Sequence, residues 1–548
     1  MQRARRHFFA RPGRLGDHIS RASLMTLAAW AACAALCHAA EPLALTLRTR
    51  VEVAPGSGRQ HAVSHRTEWD PRETAIVVCD MWDAHTCPAA SRRVAAMAPR
   101  MNELLTAARS RGVFIIHAPS DTMKFYEGHP GRRLAQAAPA AEPVVPLERW
   151  CRLDPAREGQ LPIDDSDGGC DCETSWKKGD PYPWTRQIAT LEIVDGDAIT
   201  DSAEAYNLLR QRGIKHLIVM GVHTNMCVLG RPFAIRQMVR QGLDVALVRD
   251  LTDTMYNPSR APFVNHHTGT DLVVEHIERH WCPTLISGDF LDGKEYRFPD
   301  DIRPHVVIVQ GEEEYKTAQT LPPFAREHLG KGYRVSFVWL DEQSQAAFPG
   351  IDVVKDADIL MVSARRRPLP ADQLALLKAH VAAGKPVLGI RTASHAFHLR
   401  NKPAPEGLAD WPDIDATVFG GSYTNHYSRD LATTVWPLPE AREHPILKGI
   451  PATVFPAYGG LYQTAPLLPG TLELVRGRTE GIEKEEPVAW TFKRADGGRS
   501  FYTSLGHPDD FKRPEFTALL TNAMAWLAEG VATRGGAARS AATGAAAK

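Results

Sequence analysis

The stretch KHLIVMGVHTNMCVLGRPFAIRQMVRQG, residues 215–242, decides the fold. It opens on an apolar run of β type (217–220) and turns through Gly221, Val222, His223, Thr224 and Asn225. Past Met226 it places Cys227 where a helical pattern begins. At such a turn the first unpaired N–H groups of a helix lie beside the sulfur and favour thiolate over thiol. Burial as a small apolar residue is the commoner fate of a free cysteine. The surrounding pattern selects between the two.

On either side, near-continuous apolar runs alternate with amphipathic stretches. TAIVVCD (74–80), GVFIIHA (112–118) and DVALVRD (244–250) read as strands, with helices over 92–111 and 202–212. That alternation specifies a parallel sheet covered on both faces. Between 119 and 190 it dissolves into Pro, Gly, Asp and Cys, as expected of a functional loop or lid. A charged, proline-containing linker, DGKEYRFPDDIRP (292–304), precedes a second alternation with strands at 305–311, 333–340, 357–363 and 385–392. Antiparallel-looking runs follow at 471–477 and 499–506, then a helix over 514–529. The fold class is therefore α/β, two doubly wound three-layer units with mainly parallel sheets. The expected divisions are a signal peptide at 1–40, units at 62–290 and 305–530, and a disordered Ala/Gly-rich tail at 531–548.

Hydrophobic residues make up 44% of the 548, enough for large cores. Lys+Arg and Asp+Glu are equal at 64, so nothing calls for nucleic acid as a partner. The basic leader, the short apolar run and the small residues near Ala40 read as a secretory signal, predicting a periplasmic or secreted protein with no stable membrane span after cleavage. Cys33 and Cys37 fall in the leader, leaving seven cysteines, an odd number. Cys151, Cys170 and Cys172 could supply a disulfide. A Cys-x-Cys pair without nearby ligand histidines is a weak zinc signal, and no metal or cofactor is expected.

In open parallel sheets ligands bind at the carboxyl ends of strands. Asp80, His117 and Cys227 all fall there, and a buried strand-end carboxylate needs a partner. IVVCDMWDAH and IVMGVHTNMCV together resemble the isochorismatase-like cysteine hydrolases over 74–283. The resemblance implies a six-stranded parallel sheet, an Asp-Lys-Cys triad that cleaves amide or vinyl-ether bonds, and a cis peptide at Val222–His223. Asp80 and Cys227 match the catalytic positions. Val222, His223, Thr224, Asn225 and Met226 would form the oxyanion and substrate turn, with His117, Trp82 and His85 lining the pocket. Asp83, His85 and His117 are spaced too loosely for the metal site some members carry. The lysine has no counterpart: 192–202 offers only Asp195, Asp197 and Asp201 near the expected place. Lys177, Lys178 or Arg186, brought in by the loop, are the candidate replacements. His276 and His280, one helical turn apart, read as a surface face.

In the second unit, KPVLGIRTASHAF, VFGGSYTNHY and FYTSLGHPDDF resemble the ThuA-like trehalose-utilisation family over 305–530. That implies a flavodoxin-like, class I glutamine-amidotransferase-like sheet and sugar-related ligands. Arg391 stands where the amidotransferase elbow holds cysteine, and no cysteine follows Cys282, so thiol catalysis is excluded there. Arg391, His395, His426 and His507 are the expected ligand-binding residues, with Arg391 donating to a ligand oxygen. The resulting expectation is a hydrolase of a small amide C–N bond with a small-molecule substrate and a carbohydrate-binding second unit. The alternative is a non-catalytic small-molecule or carbohydrate-binding protein that has lost the triad lysine. Homo-oligomerisation is left open.

Overall fold

In the computed structural model, residues 41–545 are described, with side chains through 531; the leader assigned to 1–40 lies outside the described residues. The first sheet has eight strands, in order β2-β1-β8-β7-β6-β3-β4-β5. These are β1 (Leu43–Glu52), β2 (Gln60–Trp69), β3 (Thr74–Cys79), β4 (Phe114–Ala118), β5 (Ala198–Ile199), β6 (His216–Val222), β7 (Asp244–Asp253) and β8 (Thr284–Leu285). β8 through β5 form a six-stranded parallel core. The hairpin β1–β2 extends it, with β1 antiparallel to β8. This hairpin begins well before residue 62, where the sequence pattern placed the start of the unit. Its strands mix charged and apolar residues, several of them exposed, so they lack the run that marks a doubly covered strand.

Every side chain of β3 and β4 is buried. Each such valine or isoleucine contributes roughly 1.5–3 kcal/mol on burial. The helices Pro88–Ser110 on one face and Glu204–Gln211 on the other cover them, producing two apolar layers around one sheet. His276 is buried rather than on a surface face: its Nε2 lies 2.9 Å from Glu158 Oε2. Arg236 and the Trp281 indole N–H also donate to Glu158. This buried hub ties the long loop to the body of the unit.

The second sheet has nine strands, in order β10-β9-β11-β12-β19-β18-β17-β14-β15. β9 (His305–Gly311), β10 (Arg334–Trp339), β11 (Ile359–Ala364), β12 (Val387–Ile390) and β19 (Arg499–Thr503) are parallel. β14 (Thr433–Pro437), β15 (Phe455–Ala457), β17 (Thr471–Thr479) and β18 (Glu486–Lys493) continue antiparallel. A separate ribbon pairs β13 (Asn425–His426) with β16 (Tyr462–Gln463). RSFYT thus belongs to the parallel set on one edge and pairs antiparallel on the other. The closing helix is Pro514–Ala545, starting where its apolar spacing indicated.

The stretch read as a linker is packed. Glu295 binds Arg249 and Arg334, and Asp301 binds Arg303, both members of the latter pair being buried. Across the units, Asn265 N–H and Thr268 Oγ1 donate to the Gly330 carbonyl at 3.1 and 3.0 Å. Among the described residues no helix is long and apolar enough to cross a membrane.

Candidate active site

Three side chains meet at the carboxyl ends of β3 and β6. Asp80 follows β3 with φ 48°, a left-handed conformation that aspartate tolerates better than most residues. It is fully buried, and its Oδ1 accepts the Ser120 N–H at 2.7 Å. Its Oδ2 accepts from Arg231 Nε at 3.1 Å. The Cys227 thiol, 8% exposed, is the third member and interacts with the same carboxylate. Burial pushes the thiol well up; the Asp80 charge adds to this and Arg231 opposes it. Burial likewise raises the Asp80 carboxyl against the pull of Arg231, Cys227 and Ser120. Burial thus opposes the charged form of both groups, and Arg231 is the one neighbour that favours both.

Arg231 is the cation that the sequence reading sought elsewhere. Lys177 and Lys178 are exposed, and Arg186 lies 3.8 Å from Asp83 and over the Phe125 ring. None of the three supplies a contact to Asp80. Arg231 reaches it because the helix beginning at Cys227 stops after one turn, Cys227–Gly230. Arg231 precedes Pro232, which disfavours helical backbone, and it is extended at φ −67°, ψ 154°. Its guanidinium folds back over the turn while a new helix, Ile235–Arg240, begins beyond. A one-turn helix brings little dipole to the sulfur, so Arg231 replaces the helix terminus as the main stabiliser of negative charge.

The turn itself is locked from behind. Val222–His223 is a cis peptide bond, and Gly221 has φ 113°. A Cβ on Gly221 would lie 2.1 Å from the Cys79 carbonyl oxygen, so only glycine fits. Thr224 Oγ1 pairs with Thr252 Oγ1 at 2.7 Å, and Asn225 exchanges hydrogen bonds with the Met255 backbone. The N–H groups of Met226 and Val228 both go to the His223 carbonyl. The Cys227 N–H between them has no protein acceptor among the described residues. Thr224 and Asn225 therefore shape the turn rather than face a substrate.

A stack of aromatic rings lies beside the turn. Trp82 stacks on Trp184 at 4.5 Å, Trp184 on Tyr182 at 4.2 Å, and Tyr182 on Trp176 at 5.8 Å. His85 lies 5.6 Å from Trp184 and meets His223 edge-on at 4.8 Å. Burial lowers both imidazoles, His85 to about 4 and His223 to about 3, so both are neutral at neutral pH. Both His223 ring nitrogens are buried without a hydrogen-bond partner. His117 is not a pocket residue: it is wholly buried between Gln187 Oε1 at 2.9 Å and Asp197 Oδ2 at 3.1 Å. The long loop reaches the site as expected, but through aromatics instead of lysines. Trp150 lies within 2.8 Å of where a Gly230 Cβ would stand, and the Cys151 N–H donates to the Gly230 carbonyl at 2.7 Å.

In the second unit the four candidates gather around Tyr315 and Tyr462. Arg391, at the end of β12 with φ 46°, is buried between the Tyr315 and Tyr462 rings at 4.1 and 4.7 Å. Its Nη atoms donate to the carbonyls of Ser504, Gly459 and Gly460, so it braces backbone instead of offering its fork to a ligand oxygen. His395 stacks on Tyr423 at 4.6 Å, His426 lies 6.3 Å from Tyr462, and His507 6.3 Å from Tyr315. The tyrosines escaped the sequence reading because Tyr315 follows an acidic run and Tyr462 lies on a two-residue strand.

The family model for trehalose utilisation, ThuA, matches residues 305–527, which makes the second unit ThuA-like. No curated protein matches the chain. Among solved structures, a ThuA-like protein from Bacteroides uniformis is 17% identical, with 43% of this chain and 94% of that one covered (TM-score 0.31). A cysteine hydrolase from Pseudomonas syringae pv. phaseolicola is 19% identical, covering 40% and 91% (TM-score 0.25). An isochorismatase family protein from Burkholderia thailandensis is 16% identical, covering 33% and 79% (TM-score 0.19).

Proposed function

We propose that the first unit is a cysteine-dependent hydrolase of a small amide C–N bond, working in the periplasm or outside the cell. The observation that carries this reading is the contact of Arg231 with Asp80 beside Cys227, which restores a cation to a site lacking the lysine. The Cys227 sulfur attacks the carbonyl carbon while its proton passes to Asp80. The carbonyl oxygen gains the negative charge and is met by the free Cys227 N–H. Collapse breaks the C–N bond, and Asp80 returns the proton to the departing amine. Water then cleaves the thioester, giving its proton to Asp80, and Cys227 leaves protonated. Neutral His223 and the Trp82–Trp184 wall suit a flat or apolar substrate with one or two polar atoms.

For the second unit we propose a carbohydrate site without covalent chemistry. Half-buried Tyr423 supplies an aromatic ring, and half-buried His426 and His507 supply polar edges, over a floor of buried Tyr315, Tyr462 and His395.

The test is incubation of the full chain with a panel of small primary amides and activated esters, followed by intact mass spectrometry. An acyl adduct that maps to Cys227 and is missing from Cys227→Ala is the expected result. Neither adduct nor turnover across the panel, with ligand still retained, would replace the hydrolase by a binding protein.

A further inference from the structure

Three cysteines that the proposed reaction does not use converge 85 residues apart in sequence. Cys87 caps the helix Pro88–Ser110, and Cys170 and Cys172 come from the long loop. Cys87 Sγ lies 3.6 Å from Cys172 Sγ, Cys170 Sγ lies 4.0 Å from Cys172 Sγ, and all three sulfurs fall within 4.8 Å of one another. A tetrahedral zinc ion with Zn–S bonds of about 2.3 Å separates its sulfurs by about 3.8 Å. A disulfide needs sulfurs at about 2.05 Å and would strand the third thiol. Two edges of the observed triangle, 3.6 and 4.0 Å, match the first arrangement, and the third is no longer than 4.8 Å.

Burial holds the Cys87 thiol above its ordinary value and the Asp171 carboxylate lies 3.5 Å from its sulfur, but other neighbours offer positive character. The Ala89 N–H, in the first turn of a 23-residue helix, donates to Cys172 Sγ at 3.3 Å. Arg93, one turn further, holds Asp171 between the two loop cysteines at 2.9 Å and also binds Asp253 at 2.8 Å. Cys87 is buried, and Met226, Met255, Ala89 and Ala90 pack around the cluster and shield it from water.

We propose that Cys87, Cys170 and Cys172 bind one zinc ion and thereby clamp the long loop over the Cys227 pocket. Binding replaces three S–H protons by one Zn²⁺, leaving a single net negative charge beside the helix N-terminus, with the fourth position held by a non-protein donor. The clamp acts on the pocket through chain continuity: Cys172 is followed within twelve residues by Trp176, Tyr182 and Trp184, which build its aromatic wall. Met226 touches the same apolar cluster and immediately precedes the nucleophile.

The experiment uses the full chain reduced with a phosphine, titrated with Co²⁺ and then Zn²⁺. The expected result is one equivalent of Co²⁺ with sulfur-to-metal charge-transfer absorption, displaced by Zn²⁺. Cys87→Ser and Cys172→Ser should each lose that absorption, while Cys151→Ser keeps it. Mass-spectrometric footprinting of the wild type guards against misfolded variants. Zinc should slow alkylation of Cys87, Cys170 and Cys172 at least tenfold and leave Cys282 unchanged, and chelation should speed proteolysis between 173 and 190. A folded protein that binds no stoichiometric metal and alkylates the three thiols equally with and without zinc overturns the proposal. A disulfide joining any two of the three in the purified protein also overturns it.

Discussion

Asp80 and Arg391 occupy matching places: each follows a buried parallel strand, β3 or β12, and each has positive φ, 48° and 46°. What surrounds them differs. At the first position the residue is an acid, and the arginine comes from another segment to share it with a thiol. At the second the arginine itself is at the strand end, and its Nη groups are bound by three backbone carbonyls. One arginine's charge lies beside a thiol whose protonation it can change. The other's is absorbed by the fold. A buried guanidinium is therefore no sign of a ligand site until its acceptors are known.

The contrast predicts opposite outcomes for the two arginines. Arg391→Met removes the donors of three backbone carbonyls, two of them buried, and should destabilise the second unit by about 3–5 kcal/mol, as read from denaturant unfolding. Cys227 alkylation should not change. Arg231→Met removes the cation beside Asp80 and should slow Cys227 alkylation at neutral pH by about a hundredfold, with Arg231→Lys restoring part of the rate. Equal effects of Arg231→Met and Arg391→Met on the thiol would erase the distinction.

A smaller effect is expected at Asp415, which burial raises to about 6 while one carboxylate oxygen stays unpartnered. Its folded value exceeds the unfolded one, so the stability it contributes is complete below about pH 4 and is lost as pH rises through 6. Asp415→Asn should flatten that loss, at most about 3 kcal/mol, in unfolding curves taken from pH 4 to 7. The smallest effect sharpens the comparison from the other side. Lys177→Ala and Lys178→Ala should leave the pH profile of Cys227 alkylation unmoved, because both side chains are exposed. A shift from either would return the loop lysines to the site.

Much of this architecture was legible in the chain, since doubly covered strands such as TAIVVC and HLIVMGV announce themselves by uninterrupted apolar runs. Asp80 and Cys227 were legible too, as polar residues ending such runs. Arg231 was missed although Pro232 signalled it: a proline five residues after Cys227 cannot continue a helix begun there, and the residue before it is freed to turn back. The hairpin β1–β2 stayed hidden because its alternation is broken by charges that only its edge position explains. His117 misled for the opposite reason. A strand-end position says nothing of which way the ring points, and Asp197 and Gln187 claim it from the far side.

The one-turn helix Cys227–Gly230 and the extended Arg231 behind it put nucleophile and counter-charge on a single run of five residues. Only Asp80 has to arrive from elsewhere. The segment between β4 and β5 still touches that run, through Asp121 at 3.6 Å from Arg231 and the Ser120 N–H on Asp80, but the cation itself travels with the thiol. Thiol and cation are thus inherited together as one short word of sequence.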